Sequence, residues 1–275
     1  MPSSPSVRGC RSTAWSRSAK QLIAAAAVAG ALAAFAPVVV HDAQERSPLS
    51  SVGDRGPAAY ARSVPRDGGA WLQYWLWYPR QDQDRGVVRT GRHEGDWELV
   101  QFRVDARGRP REAVYAQHSG AERCPWSTVE RRDGRPLVYA ANGSHASYLR
   151  AGTRDRMWPD PNDEADGRGR VVRPSVVRVS ADSPAWMRRH SRWGGARARW
   201  WIPGEQDSPR GPAFQLQSRW SDPEGWADSA RSCRAGCDHV GECDGAETAL
   251  GAGGAAALVG AGVLTWRRRR TLKGV

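Results

Sequence analysis

The chain has 275 residues and a formal net charge of +12, with fourteen tryptophans. That length admits one generous domain or two small ones and no larger assembly of domains. A basic balance of this size fits nucleic acid, an anionic membrane surface or acidic glycans. Part of the excess lies at the two termini and the rest is arginine spread along the whole chain, so nucleic acid is set aside as a partner.

Arg8, Arg11, Arg17 and Lys20 precede an uncharged apolar run from Gln21 to Val40. Residues 1–20 therefore read as a basic cytoplasmic segment and 21–40 as a signal peptide or a signal-anchor helix. A small-x-small site, Ala34-Phe35-Ala36, is followed by Pro37, which hinders cutting, and both cleavage and retention stay open. Residues 41–68 are rich in Ser, Pro, Gly and charge without periodicity, as in a linker. A folded domain over 69–230 begins with Trp71 to Tyr78, aromatic enough for a strand buried on both faces and stopped by Pro79. A polar loop from Arg80 to Thr90 then carries Asp82 and Asp84 towards the most informative stretch of the chain.

That stretch is Gly91-Arg92-His93-Glu94-Gly95-Asp96-Trp97-Glu98. It leads into a strand, so Asp96 and Glu98, two residues apart, project to one face while Trp97 and Leu99 project to the other. Two carboxylates side by side repel unless a cation or a proton lies between them. A hard divalent cation (Ca, Mg or Mn) held by Asp96 and Glu98, with His93 or water completing the shell, accounts for the pattern. The alternative is an exposed acidic strand edge beside a structural histidine.

Further strands are predicted at Leu99 to Val104, Arg111 to Gln117, Leu137 to Ala141 and Val171 to Val179, with turns at Gly108-Arg109-Pro110 and Asp133-Gly134-Arg135-Pro136. His118 and His145 each follow a strand among small residues, as at the rim of a cleft. The acidic run Asp160 to Gly167 resembles the opening of a calcium loop, but the closing glutamate position is Arg173, so a solvated turn is the expectation. One short helix is predicted from Pro184 to Trp193. The tryptophans of Arg188 to Trp201 are assigned to the core and its arginines to a solvated face.

Cys124, Cys233, Cys237 and Cys243 form an even set in which disulfides are expected, with three possible pairings. Residues 231–248 read as a cysteine-containing stalk. Ala249 to Trp266 is an uncharged Gly/Ala-rich run and reads as a transmembrane helix, and 267–275 as a basic cytoplasmic tail. Both basic ends point inward, which puts the main domain on the extracellular side of the cell membrane. The fold class is mainly β: a single antiparallel β-sandwich with a short helix, flanked by N- and C-terminal transmembrane helices.

Aromatic Tyr74-Trp75, then His93 to Glu98, Gln117-His118 and Gly143-Ser144-His145-Ala146-Ser147-Tyr148, in that order, resemble the vacuolar protein sorting-associated protein family number sixty-two. The Trp220-Ser221-Asp222-Pro223 stretch resembles the end of that family's domain. The chain is also similar, more distantly, to the necrosis- and ethylene-inducing-like (NLP) cytolysins. His93, Asp96, Trp97 and Glu98 fall on the matching positions of their Gly-His-Arg-His-Asp-Trp-Glu heptapeptide. The resemblance implies a β-sandwich with a divalent cation at one end and an upstream aspartate, Asp82 or Asp84, completing the metal site. Gly95 in place of the second histidine, and Glu94 in place of the arginine, point away from cytolysin-like lipid attack.

The expected function is a membrane-anchored, cation-dependent module recognising a polar lipid headgroup or glycan. The alternative is a metal-dependent hydrolase in which His118 or His145 serves as acid or base.

Overall fold

The computed structural model describes residues 17–53, 55–83, 91–156, 161–196, 206–215 and 218–233. Helix α1 (Arg17–Ala34) is followed by β1 (Val38–His41), β2 (Ala58–Arg66), β3 (Gly69–Gln81), β4 (His93–Asp105), β5 (Pro110–Gln117) and β6 (Gly120–Pro125). Shorter strands come next: β7 (Arg131–Arg132), β8 (Arg135–Ala140), β9 (Ser147–Tyr148), β10 (Gly152–Arg154), β11 (Asp163–Ala165), β12 (Val171–Val172) and β13 (Ser175–Arg178). Helix α2 (Pro223–Asp228) and β14 (Arg231–Ser232) end the described chain.

A seven-stranded sheet in the order β13-β2-β3-β4-β5-β6-β14 forms the centre. A second sheet runs β12-β1-β8-β7, with β9 also on β8. Strand periodicity explains the layering. On β3, Ala70, Leu72, Tyr74, Leu76 and Tyr78 share a core with Val100, Phe102 and Val104 of β4 and with Val39 and Val138 of the second sheet. The opposite face carries Trp71, Trp75, Trp77, Trp97 and Leu99, covered by Met187 and Trp226. The expected doubly buried strand is there, and β3 is long because both of its faces have partners.

Several expectations are corrected. The sheets are mixed rather than wholly antiparallel: β13 on β2, β14 on β6 and β1 on β8 all pair in parallel. Each of these partners arrives from a distant part of the chain, as parallel pairing requires. Pro79 does not stop β3, which continues to Gln81 with Arg80 opposite Glu94 and Gln81 opposite His93. Val171 to Val179 is not one strand. Pro174, with no N–H to give, separates β12, which joins β1, from β13, which joins β2.

The helix expected over Pro184 to Trp193 is a single 3₁₀ turn, Ala185–Arg188. The rings of Trp186 and Trp193 lie 5.7 Å apart. A helix would separate residues seven apart by about 10.5 Å along its axis, so the aromatic packing overrides the local pattern.

The N-terminal reading changes most. No span runs from 21 to 40: α1 ends at Ala34, and Val38–His41 is a fully buried strand in the second sheet. Pro37 and the β-branched valines favour that switch from helix to strand. Among the described residues no helix is long and apolar enough to cross a membrane. Residues 41–68, expected as a linker, contain all of β2, so the folded unit begins well before 69.

Cys124 and Cys233 are disulfide-bonded, which ties β14 beside β6. Cys10, Asp84, Cys237, Cys243, the apolar run 249–266 and the basic tail 267–275 lie outside the described residues.

Candidate functional site

The β4 motif begins on strand backbone at His93. Asp96 sits opposite Tyr78 and Glu98 opposite Leu76, so both carboxylates leave the sheet on the face that packs on the second sheet. Trp97 and Leu99 leave on the tryptophan side, as the period-two pattern requires. Gly95 has φ +66°, and a Cβ there would lie 2.4 Å from Trp77 Cη2 and 2.8 Å from the Cβ of Trp193. Backbone twist and aromatic crowding together select glycine at this position.

Two buried polar networks meet the motif. In the first, His145 Nδ1 is 2.9 Å from Asp96 Oδ2 and its Nε2 is 3.6 Å from Glu45 Oε1, an ion-pair separation rather than a hydrogen bond. Glu45 accepts from the Gly143 and Ser47 amides at 2.8 and 2.6 Å. The His145 ring is stacked on Tyr78 at 3.9 Å and is completely buried. Burial opposes charge on that ring, but Asp96 and Glu45 outweigh it and raise its pKa to about 9. Burial also opposes charge on Glu45, yet His145 and the two amides lower its pKa to about 2.

In the second network, the buried carboxylate of Asp163 on β11 accepts from Ser144 Oγ (2.7 Å), Tyr148 Oη (2.6 Å) and Gln83 Nε2 (3.2 Å). His118 Nε2 lies 2.5 Å from the same carboxylate, and the His118 side chain is one-quarter exposed. Burial would raise the pKa of Asp163, but His118 and the hydroxyl donors hold it below the ordinary value. Arg219 donates from Nη2 to the carbonyl of His118.

Glu98 lies between the networks. Its Oε2 is buried and has no hydrogen-bond partner among the described residues. Burial first, and the adjacent Asp96 second, push its pKa well above the carboxylate range, with Arg219 opposing them.

The donor types fit a hard cation. His93 Nδ1 is 2.8 Å from the Gly95 carbonyl, so donation there leaves Nε2 as the lone-pair atom, the arrangement that orients metal-binding imidazoles. Glu98 Oε2 is an orphan acceptor next to a second carboxylate. Among the described residues, however, no three His, Cys, Asp or Glu are grouped closely enough to hold a metal. Asp82 pairs with Arg80 at 2.6 Å, and Asp84 lies outside the described residues.

Beside the motif opens a cleft of about 540 Å³ whose walls include Glu45, Arg46, Arg80, Asp82, Gln83 and Glu164. Among the described residues its lining is charged and amide side chains and backbone, with Pro161 as the one apolar side chain. Glu45 thus belongs both to the cleft wall and to the His145–Asp96 network.

Glu45 and Asp163 were not legible as site residues. Glu45 falls in the stretch without periodicity. Asp163 falls in the acidic run, of which Asp163–Ala165 is strand β11 paired with β10, with Asp163 buried rather than solvated.

The model of the family Vacuolar protein sorting-associated protein 62 matches residues 83–156, which contain the β4 motif, His118 and His145. A search of curated proteins gives no match. Similar solved structures include one described as a toxin fold for microbial attack and plant defense, 15% identical, covering 55% of this chain and 74% of that one, TM-score 0.38. Another is NLPPya in complex with glucosamine, 13% identical, covering 55% and 72%, TM-score 0.37. A third is Necrosis and Ethylene inducing Protein 2 from the causal agent of cocoa's Witches Broom disease, 11% identical, covering 54% and 72%, TM-score 0.37. Both resemblances read from the ordered motifs therefore recur in the comparisons.

Proposed function

We propose that this end of the sandwich is a cation-dependent recognition site for a polar ligand, a lipid headgroup or a glycan. The carrying observation is Glu98, whose buried Oε2 lacks a partner among the described residues while Asp96 stands beside it on the same strand face. A divalent cation (Ca, Mg or Mn) between Asp96 and Glu98, with His93 or water completing the shell, would satisfy that oxygen and neutralise the pair. Asp82 or Asp84 would add a further oxygen ligand. The adjoining cleft supplies carboxylates, guanidinium groups and amides, the chemistry that holds hydroxyl- and phosphate-bearing groups.

Burial removes one of the two acid–base candidates: His145 is completely buried and stacked, out of reach of a substrate. His118 keeps one-quarter of its side chain exposed and is oriented by Asp163, so hydrolysis at His118 is the second reading. The reading places the domain outside the cell, held by the apolar run 249–266. The Cys124–Cys233 disulfide supports an oxidising compartment.

The test is elemental analysis and thermal melting of the full chain and of an Asp96→Ala, Glu98→Ala double variant. Stoichiometric Ca²⁺, Mg²⁺ or Mn²⁺ in the wild type alone, with melting lowered by chelator, is expected. Absence of bound metal together with identical melting in chelator would sink the proposal.

A further inference from the structure

We infer that α1 is a permanent part of the folded domain, and that its exposed half and the arginine turn beside it seat the domain on an anionic lipid surface. The inference stands independently of the cation reading, because it rests on a different face of the molecule.

The C-terminal half of α1 and the two residues after it close the first core. Ala31 and Leu32 are 6% and 4% exposed and Ala36 is completely buried. The carbonyl of Leu32 accepts the Tyr74 hydroxyl at 2.9 Å inside that core. Phe35 meets Trp126 edge-on at 5.3 Å. The turn between β4 and β5 approaches so closely that a Cβ on Gly108 would lie 2.8 Å from the Ala27 carbonyl oxygen. Cutting after Ala36 would remove the Tyr74 acceptor and expose this wall, which costs the burial of each side chain and an unsatisfied hydroxyl.

Residues 22–26 of the helix are apolar and mostly exposed. Leu22 is 72% and Ile23 55% exposed, and the described residues hold just one other exposed large hydrophobic, Val171. Charge identifies the partner. No Asp or Glu precedes Asp42 in the sequence, while Arg8, Arg11, Arg17 and Lys20 do. The turn that touches Ala27 carries Arg107, Arg109 and Arg111, all exposed. Asp105 pairs with Arg109 and Arg111 at 2.9 and 2.7 Å, so the turn keeps a positive excess.

An apolar helix flank beside basic residues, on a helix whose described residues are not long and apolar enough to span, fits interfacial seating on anionic lipid. Leu22 and Ile23 would enter the acyl boundary and the arginines would meet headgroup phosphates.

Two measurements on the full chain decide it. Intact mass of the protein recovered from its producing cell is expected to retain residues 17–36; a mature chain starting at Pro37 overturns the inference. Hydrogen exchange is then followed in liposomes of phosphatidylcholine, with and without phosphatidylglycerol. Anionic lipid is expected to slow exchange over residues 17–26 and 105–111 roughly fivefold, the factor one basic residue near such a surface supplies. A Leu22→Asp, Ile23→Asp variant should lose that slowing while exchange in β3 and β4 stays unchanged. Equal exchange in both lipids, or slowing by added RNA in place of lipid, overturns the inference.

Discussion

Replacing Gly95 by alanine separates packing from chemistry in the β4 motif. At φ +66° an L side chain costs about 1–2 kcal/mol relative to glycine. The new Cβ would also stand 2.4 Å from Trp77 Cη2 and 2.8 Å from the Trp193 Cβ, in an aromatic cluster whose rings are 4.6 Å apart. Relieving that overlap costs about 1–3 kcal/mol more, for a total loss of about 2–5 kcal/mol. Gly134 provides the control: its φ is +76°, and nothing lies within 4 Å of a Cβ there. Gly134→Ala should therefore lose only the backbone part, about 1–2 kcal/mol. Urea unfolding followed by tryptophan fluorescence reads both variants on one scale. Equal losses at the two glycines, or a Gly95→Ala variant as stable as wild type, would refute the packing argument. By the same geometry a histidine at position 95 would occupy the space of Trp77 and Trp193.

Cys124→Ser with Cys233→Ser opens a closure spanning 109 residues, worth up to about 4–5 kcal/mol in the chain-entropy account. Dithiothreitol should bring the wild-type urea midpoint down to that of the variant and leave the variant unmoved; a variant as stable as the oxidised wild type contradicts this. Asp163→Asn should cost at least about 1.5–3 kcal/mol at neutral pH, the worth of one hydrogen bond to a charged group. Because the folded pKa of Asp163 is depressed from 3.8, its contribution is complete above that value and is lost as pH falls through the folded pKa. The gap between wild type and variant should thus narrow below about pH 4, the unfolded value, and a gap independent of pH would contradict the assignment. Leu32→Ala should cost about 2–4 kcal/mol, as for a buried leucine, and a neutral result would mean that α1 is not part of the core.

The parts of the fold legible in the sequence were those set by local period. The split between Asp96 and Glu98 on one face and Trp97 and Leu99 on the other needs only the alternation of a strand, and it holds. Trp71 to Tyr78 announced a strand buried on both faces because both registers are apolar. What the sequence could not show is which distant segment arrives at which edge. Val38–His41 reads as the tail of an apolar helix until β8 and β12 are present to pair with it. Glu45 and Asp163 carry no periodic signal; they become site residues only because the second sheet and the β10–β11 hairpin bring them to His145 and His118. The 3₁₀ turn at Ala185–Arg188 was missed for a related reason, since helix-compatible spacing yields to the tryptophan contacts across the layer.

The central sheet ends on two very short strands, β13 of four residues and β14 of two. A long free edge would offer its unpaired amides and carbonyls to another molecule, and short terminal strands withhold that template. On the β6 side the guard is fastened covalently, since β14 immediately precedes Cys233 and its bond to Cys124. Reduction therefore does more than lower stability: it unfastens the strip paired with Glu122 and Arg123, so the redox state of a single sulfur pair sets how firmly that part of the β6 edge is held.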